Sequence, residues 1–308
     1  MSQNSQLMIE DSAEQTPARR GFLHRTGGKR HLVQTLFFTS FRIAAAINAL
    51  ALLIIFWFLI YNGLPAINWS FLSEAPRRAM TEGGILPCIV GTVILGLGSM
   101  LVAFPLGVAT AIYLNEYAKA QRAVRIIKLG INNLAGVPSV VFGLFGLSFF
   151  VIVLGMGVSV LSGILTLGFL TLPVIIGASK EALLAVPQTY REASLALGAT
   201  RFQTITRVVL PAALPGMLTG SILGISRAAG ETAAIMFTAA VFFTPVLPQS
   251  IFDPVMALPY HIYVLATAGT NIELTRPKQY GTALVLIGLV FSMNIFAIWL
   301  RARLQKKH

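Results

Sequence analysis

Charge is scarce in this chain. Only 11% of its 308 residues are Asp, Glu, Lys or Arg, against about 25% in a soluble domain, so most of the surface is not built for water. Cysteine is scarcer still: Cys88 is the single one, which excludes an internal disulfide and is read as a small buried thiol. The four histidines are scattered without metal-ligand spacing. No paired carboxylates or His–Asp sets gather, which argues against an intramembrane enzyme acting on lipid phosphates. The first 31 residues have no apolar core and are no signal peptide. GGKR at 27–30 lacks both the earlier glycine and the following Ser or Thr of a phosphate loop, so ATP hydrolysis by this chain alone is not expected.

What abounds is apolar length. The chain is 56% hydrophobic, with a mean hydropathy of +0.77. Six stretches, about 42–62, 84–114, 131–154, 158–179, 216–244 and 280–300, reach the roughly 20 residues that a helix needs to cross hydrocarbon. The expectation is an all-α membrane protein of six transmembrane helices, with the second and fifth tilted or extended beyond the bilayer. The expected layout is a disordered basic arm over 1–39, a membrane domain over 40–303 and a short tail over 304–308.

A net charge of +12 could point to nucleic acid, but its distribution points to topology. The basic residues gather at the N-terminal end (Arg19, Arg20, Arg25, Lys29, Arg30, Arg42), after the second span (Lys119, Arg122, Arg125, Lys128), after the fourth (Lys180, Arg191, Arg201, Arg207) and in the tail (Arg301, Arg303, Lys306, Lys307). Only Arg77, Arg78, Arg276 and Lys278 fall between the other spans, and Arg227 falls inside one. By the positive-inside rule the expectation is a multi-pass membrane protein with both termini cytoplasmic and no nucleic-acid partner.

Glycine punctuates the spans. GTVILGLG at 91–98, GLFG at 143–146 and GSILG at 220–224 place small residues where helices can approach closely, and for most of them ordinary bundle packing suffices. The segments 63–83 and 245–279 are the two long outer connections. Within the latter, Pro259, Tyr260, His261 and Tyr263 could meet a partner, and an interfacial aromatic anchor is at least as good a reading.

The inner segment 180–215 is too polar to span and too helix-prone for a loose loop. Pro187 can open a helix, Gly198 can end it, Thr200 can cap the next, and Pro211 marks the return to the membrane. Tyr190, Ala193 and Leu197 fall on one helix face. The product is a helix–glycine–helix elbow with an apolar patch. It could lie on lipid, but the mixed surface of Tyr190, Arg191 and Glu192 favours docking a protein.

SRAAGETAA at 226–234 places Arg227 and Glu231 inside the fifth apolar run. At i and i+4 on one helix they would share a face and could pair. Each charge costs about 2.5–3.5 kcal/mol near a helix centre, and apolar residues would avoid that cost altogether. One reading is a self-neutralising pair that orients the span. The favoured one is a transport pathway: arginine stays charged and its planar donor fork matches the oxygens of an oxyanion. Glu231 then gates, selects or neutralises. Thr232 can add a hydroxyl donor, although an intrahelical back-bond is the plainer expectation. A secondary transporter or channel could use the same charges, but would not need the elbow.

Glu192-Ala193-Ser194, Gly198, Val208 and Leu210-Pro211 keep the spacing of the cytoplasmic signature of ABC importer permeases, with Ser for Ala and Val for Ile as mild departures. EGGILPCIVGT at 82–92, AIYLNEYA at 111–118, NLAGVPSVVFGLFGL at 133–147, SRAAGETAA and FDPVMALPYHIYVLAT at 252–267 resemble the PstA-type permeases of phosphate ABC importers from about residue 40 onward. EGGI and ALPYHIY weigh against the PstC-type sister. A permease for molybdate, sulfate or phosphonate is the alternative within the class. The resemblance implies the type I importer (MetI-like) fold with a cytoplasmic coupling helix, whose ATPase-docking residues would be Tyr190, Glu192, Ala193 and Gly198. It also implies a substrate pathway at Arg227, Glu231 and Thr232. The implied partners are a PstC-type permease, a pair of ATPase subunits carrying the ATP and Mg, and an external phosphate-binding protein. The resemblance further implies the bacterial plasma (inner) membrane, and no cofactor is expected on this chain.

Overall fold

In hydrocarbon a backbone must satisfy its own N–H and C=O groups, so long apolar runs become helices. The computed structural model describes residues 27–78, 80–118, 122–268 and 272–305. Residues 1–26 of the expected arm, Lys119, and Lys306 and Lys307 of the tail lie outside the described residues. Among the described residues, five helices are long and apolar enough to cross a membrane: Val33–Ala66, Leu86–Tyr117, Val160–Leu184, Arg201–Ala229 and Thr275–Arg303.

Helix α1 (Gly27–Gly63) begins well before the expected span, so the last part of the 1–39 arm is helical. The chain divides after Trp57 into two bodies. In the first, Leu36, Phe41, Leu52 and Trp57 are all exposed, as suits a helix in lipid. The second, Phe58–His308, holds the core. It continues through α2 (Trp69–Ser73), a two-stranded antiparallel hairpin of β1 (Pro76–Arg77) and β2 (Glu82–Gly83), and α3 (Leu86–Ile112). Next come α4 (Arg122–Ala135), α5 (Ser139–Gly146), α6 (Val160–Leu184), α7 (Gln188–Ala196), α8 (Arg201–Thr204), α9 (Leu210–Ala229), α10 (Leu258–Thr267) and α11 (Ile272–Gln305).

The third expected span, 131–154, is not one helix. Val124–Ala135 and Ser139–Val153 meet at a bend of 105°. Pro138 stands at the N-cap of α5 with ψ 143°, because proline lacks an N–H and drives its predecessor out of helical backbone.

The fifth expected span, 216–244, is also corrected. Helix α9 stops at Ala229, and 230–257 runs without a helix apart from a single 3₁₀ turn at Ile235–Phe237. Propensity alone would have continued the helix. Tertiary hydrogen bonding wins instead: the first N–H groups of α6 need acceptors, and this loop supplies them. Ser159 N donates to Thr238 O (3.0 Å), Val160 N to Asp253 O (2.9 Å) and Leu161 N to Ile251 O (2.8 Å). Irregular backbone is tolerated at membrane depth when it is buried in protein. Here Ala234, Ile235, Ala239, Ala240, Val255 and Ala257 form one core cluster with Leu95, Phe142, Leu167 and Ala228.

Helices α3, α6 and α9 form the centre of the second body. The stripe Gly216–Gly220–Gly224 lets α9 lie against α6: a Cβ at Gly216 or Gly220 would meet the Cβ of Ala182 or Ala178 at 2.7 and 2.4 Å. This is the close approach that small residues permit. The GLFG glycines serve another purpose, since Gly143 lies against Ala233 and Ala234 of the non-helical loop.

Candidate functional site

Helix α9 has the elbow before its N-terminus and Arg227 in its last turn. Ala228 and Ala229 are buried in the core, which fixes the turn that carries Arg227. Gly230 caps the helix, with Glu231 N donating to Ala228 O at 3.3 Å. Arg227 is exposed, and Glu231 and Thr232 are half-buried.

The expected Arg227–Glu231 pair is not formed. Among the described residues the ion pairs are Arg77–Glu74, Arg78–Glu82 and Arg191–Glu116. Spacing of i and i+4 joins side chains only along a continuous helix, and this helix ends between the two residues. Nor does Thr232 make the expected intrahelical back-bond: it lies outside α9, and its carbonyl accepts from Met236 N at 3.2 Å. The three residues therefore line a helix end and the following loop rather than one helix face. Ser226, just before Arg227, donates to Asn294 Oδ1 of α11 at 2.7 Å.

The elbow follows the expected punctuation. Helix α6 ends at Leu184, and Pro187 is the N-cap of α7. Gly198 has φ +81°, a left-handed conformation that glycine adopts without penalty. Thr200 caps α8 by a complete capping box with Gln203. Tyr190 is 53% and Leu197 88% exposed, and Glu192, Ala193 and Gly198 are exposed too. Tyr190 and Leu197 thus leave an apolar patch open on the elbow.

Arg191 behaves differently from its neighbours. It turns inward, and its Nη2 meets Glu116 Oε1 at 2.9 Å, with the two side chains only 12% and 11% exposed. Its Nη1 donates to Val186 O (2.8 Å) and its Nη2 to Leu183 O (2.9 Å). Asn115 Nδ2 donates to the same Glu116 oxygen at 2.9 Å. Asn115, Glu116, Val186 and Arg191 line a cleft of about 490 Å³ beneath the elbow, together with Gln188 and Arg201. Sequence reasoning assigned Arg191 to the outer docking surface and gave Glu116 no role. The one available signal was an isolated acid next to a span end, and it names no partner.

Residues 103–307 match the family of binding-protein-dependent transport system inner membrane components. The chain belongs to this family. The permease is 35% identical over 284 residues to the phosphate transport system permease protein PstA 1 of Mycobacterium tuberculosis, covering 89% of this chain and 88% of that protein. It is 32% identical over 289 residues to the probable ABC transporter permease protein YqgI of Bacillus subtilis, covering 90% and 98%. It is thus a PstA-type ABC permease. Among solved structures, the inward-facing methionine ABC transporter MetNI aligns with a TM-score of 0.55 at 19% identity, over 72% of this chain and 94% of that one. A bacterial alginate ABC transporter aligns at 0.54 and 15%, over 87% and 98%. Both share the all-α MetI-like architecture expected from the sequence. The family is one of transport components, in keeping with a non-catalytic subunit.

Proposed function

We propose that this permease forms half of the translocation pathway of an ATP-driven phosphate importer, with Arg227 as a transient contact for the anion. The observation that carries the reading is the pairing of two features on one helix. At one end of α9 stands an exposed guanidinium with no ion pair among the described residues. Before its other end stands the elbow with its open apolar patch. A single unpaired arginine offers phosphate a matching fork of donors without the multiple contacts that would trap it. Its PstA relatives in Mycobacterium tuberculosis and Mycobacterium leprae are phosphate transport system permeases, which supports phosphate as the anion.

In this reading Tyr190, Glu192, Ala193 and Gly198 dock a partner ATPase that holds ATP and Mg, and the elbow is cytoplasmic, as are both termini. A PstC-type permease supplies the other half of the pathway, and an external phosphate-binding protein delivers the anion. Glu231 and Thr232, just past the helix end, flank the passage as acceptor and donor for protonated phosphate.

The test uses the assembled importer. Leu197→Asp places a charge on the patch and is expected to abolish co-purification of the ATPase. Arg227→Gln is expected to leave the complex intact and stop phosphate uptake. Normal uptake by the Arg227 variant returns that residue to a structural role, and unchanged co-purification of the Leu197 variant removes the elbow as the docking element.

A further inference from the structure

The elbow has little of its own to hold it in place. None of the residues of α7 is buried, so no apolar side chain anchors it to the membrane helices. What α7 does send inward is the Arg191 guanidinium. That one group reaches three places: Leu183 O in the last turn of α6, Val186 O just past it, and Glu116 beyond the end of α3, 75 residues away in sequence. Ser194 and Thr204, whose hydroxyls lie 2.9 Å apart, staple α7 to α8.

The local backbone on both sides is wide-turned. Glu116 lies in the π-helical segment Tyr113–Tyr117 that ends α3, and a second π segment, Ile205–Val209, joins α8 to α9. Such segments occur at functional sites, where they re-aim side chains. Here the first turns Glu116 towards the elbow, and Leu114, beside it, is buried.

We infer that the Glu116–Arg191 pair is a strut through which movement of the elbow reaches α3, so that these two are positioning residues for coupling ATP turnover to transport. The chain itself connects α7 to α6 and to α9, but not to α3. The packing of α3 along α6 and α9 makes the strut a direct link to the third helix of the central bundle. A partly desolvated ion pair serves this purpose because its attraction is weakly screened and its guanidinium geometry is fixed. Greasy contact would let the elbow slide. The pair also forms beside the cleft under the elbow, where space exists for the elbow to shift without displacing packed side chains.

The inference rests on the elbow docking an ATPase, and the experiment separates the two. The complete importer, with both permeases, ATPase and binding protein, is reconstituted in proteoliposomes. Radiolabelled phosphate uptake and ATP hydrolysis are measured together. Glu116→Gln keeps a hydrogen-bond acceptor for Arg191 while removing the charge; Arg191→Met removes both. Each is expected to co-purify with the ATPase and to hydrolyse ATP at close to the unaltered rate. Phosphate moved per ATP is expected to fall by about tenfold, the size of a typical coupling between sites. The double variant is expected to do no worse than Arg191→Met, because the two residues act as one unit. Wild-type phosphate per ATP in either single variant overturns the strut. So does loss of ATPase from the Glu116→Gln complex, which puts the pair in folding of the elbow instead. Failure of the docking reading shows elsewhere, as unchanged co-purification of Leu197→Asp, and failure of the phosphate reading as no uptake by the unaltered importer.

Discussion

Ser226 and Asn294 share one hydroxyl proton across two helices. Ser226 Oγ lies 2.7 Å from Asn294 Oδ1 on α11 and 2.9 Å from Ile222 O on its own helix. The bond ties α9 to α11 one residue before Arg227. Polar bonds between membrane helices are worth about 0.6–2 kcal/mol. Asn294→Leu is expected to lower the unfolding midpoint of the detergent-solubilised permease by an amount equivalent to about 1 kcal/mol, with ATPase co-purification retained. A midpoint equal to that of the unaltered chain would mean that the bond contributes nothing measurable to the α9–α11 contact.

Gly91 provides a sharper case. A Cβ there would lie 2.0 Å from Met256 O and 2.4 Å from Val255 Cγ2. The first of these is backbone that the adjacent bond from Leu258 N to Thr92 Oγ1 (2.9 Å) holds in place. Gly91→Ala should therefore destabilise by about 2–3 kcal/mol, as overpacking does. Gly177 in α6 has nothing within 4 Å of its Cβ position, so Gly177→Ala should stabilise the isolated subunit by about 0.5–1 kcal/mol. Thermal or denaturant unfolding of the two variants side by side checks the contrast, and equal behaviour refutes it.

The parts of this fold written in local chemistry were readable in advance. Pro187, Gly198 and Thr200 each act within a few residues, and each stands where the sequence places it, with Gln203 completing the cap. Hydropathy likewise located the first, second, fourth and sixth spans, each of which falls on one helix. The break after Ala229 was not readable, because its cause lies elsewhere: the acceptor-hungry N-terminus of α6 takes carbonyls from residues 238–253. An apolar run looks the same whether it is a helix in lipid or a loop buried in protein. The break also undid the Arg227–Glu231 expectation, which was sound helix geometry applied past the end of the helix. Arg191 and Glu116 meet over 75 residues, a separation at which spacing carries no information. Glu192 and Tyr190 did land on the open face, since helix periodicity decides that locally.

Lys278 is a long-range tether for the hairpin. Its ammonium donates to Thr81 O at 2.7 Å and to Gly83 O at 3.4 Å. The hairpin is otherwise a poor structure, with Arg78, Met80 and Gly83 all at positive φ and two-residue strands. Met80, buried with Phe71, Ile85 and Met256, and the buried Pro76 of β1 pin it to the core. Hydrogen bonds from a charged donor contribute about 1.5–3 kcal/mol. Lys278→Met should thus raise the rate of tryptic cleavage at Arg77 and Arg78 by roughly tenfold, through more frequent local opening. Unchanged cleavage kinetics would assign the hairpin's order to its buried side chains rather than to Lys278.

His261 gives the permease a pH-dependent stability of defined sign. Its ring is buried in α10, its Nδ1 has no hydrogen-bond partner among the described residues, and its pKa is lowered from 6.5 to about 4, chiefly by burial and secondarily by the Lys278 charge. The folded state thus holds the imidazole neutral, while the unfolded chain takes up a proton below the ordinary value of about 6.5. Between these two values the unfolded state binds more protons, so stability falls as pH falls. The full contribution is present above pH 6.5 and is lost on the way down to about pH 4, for a total of up to about 3 kcal/mol. His261→Phe removes the titrating group and should flatten this part of the profile while keeping the volume filled. Unfolding midpoints of both proteins at several pH values between 7 and 4 decide it. Parallel profiles would mean that the slope comes from other groups, and a profile rising towards acid in the unaltered chain would mean that His261 is protonated in the fold.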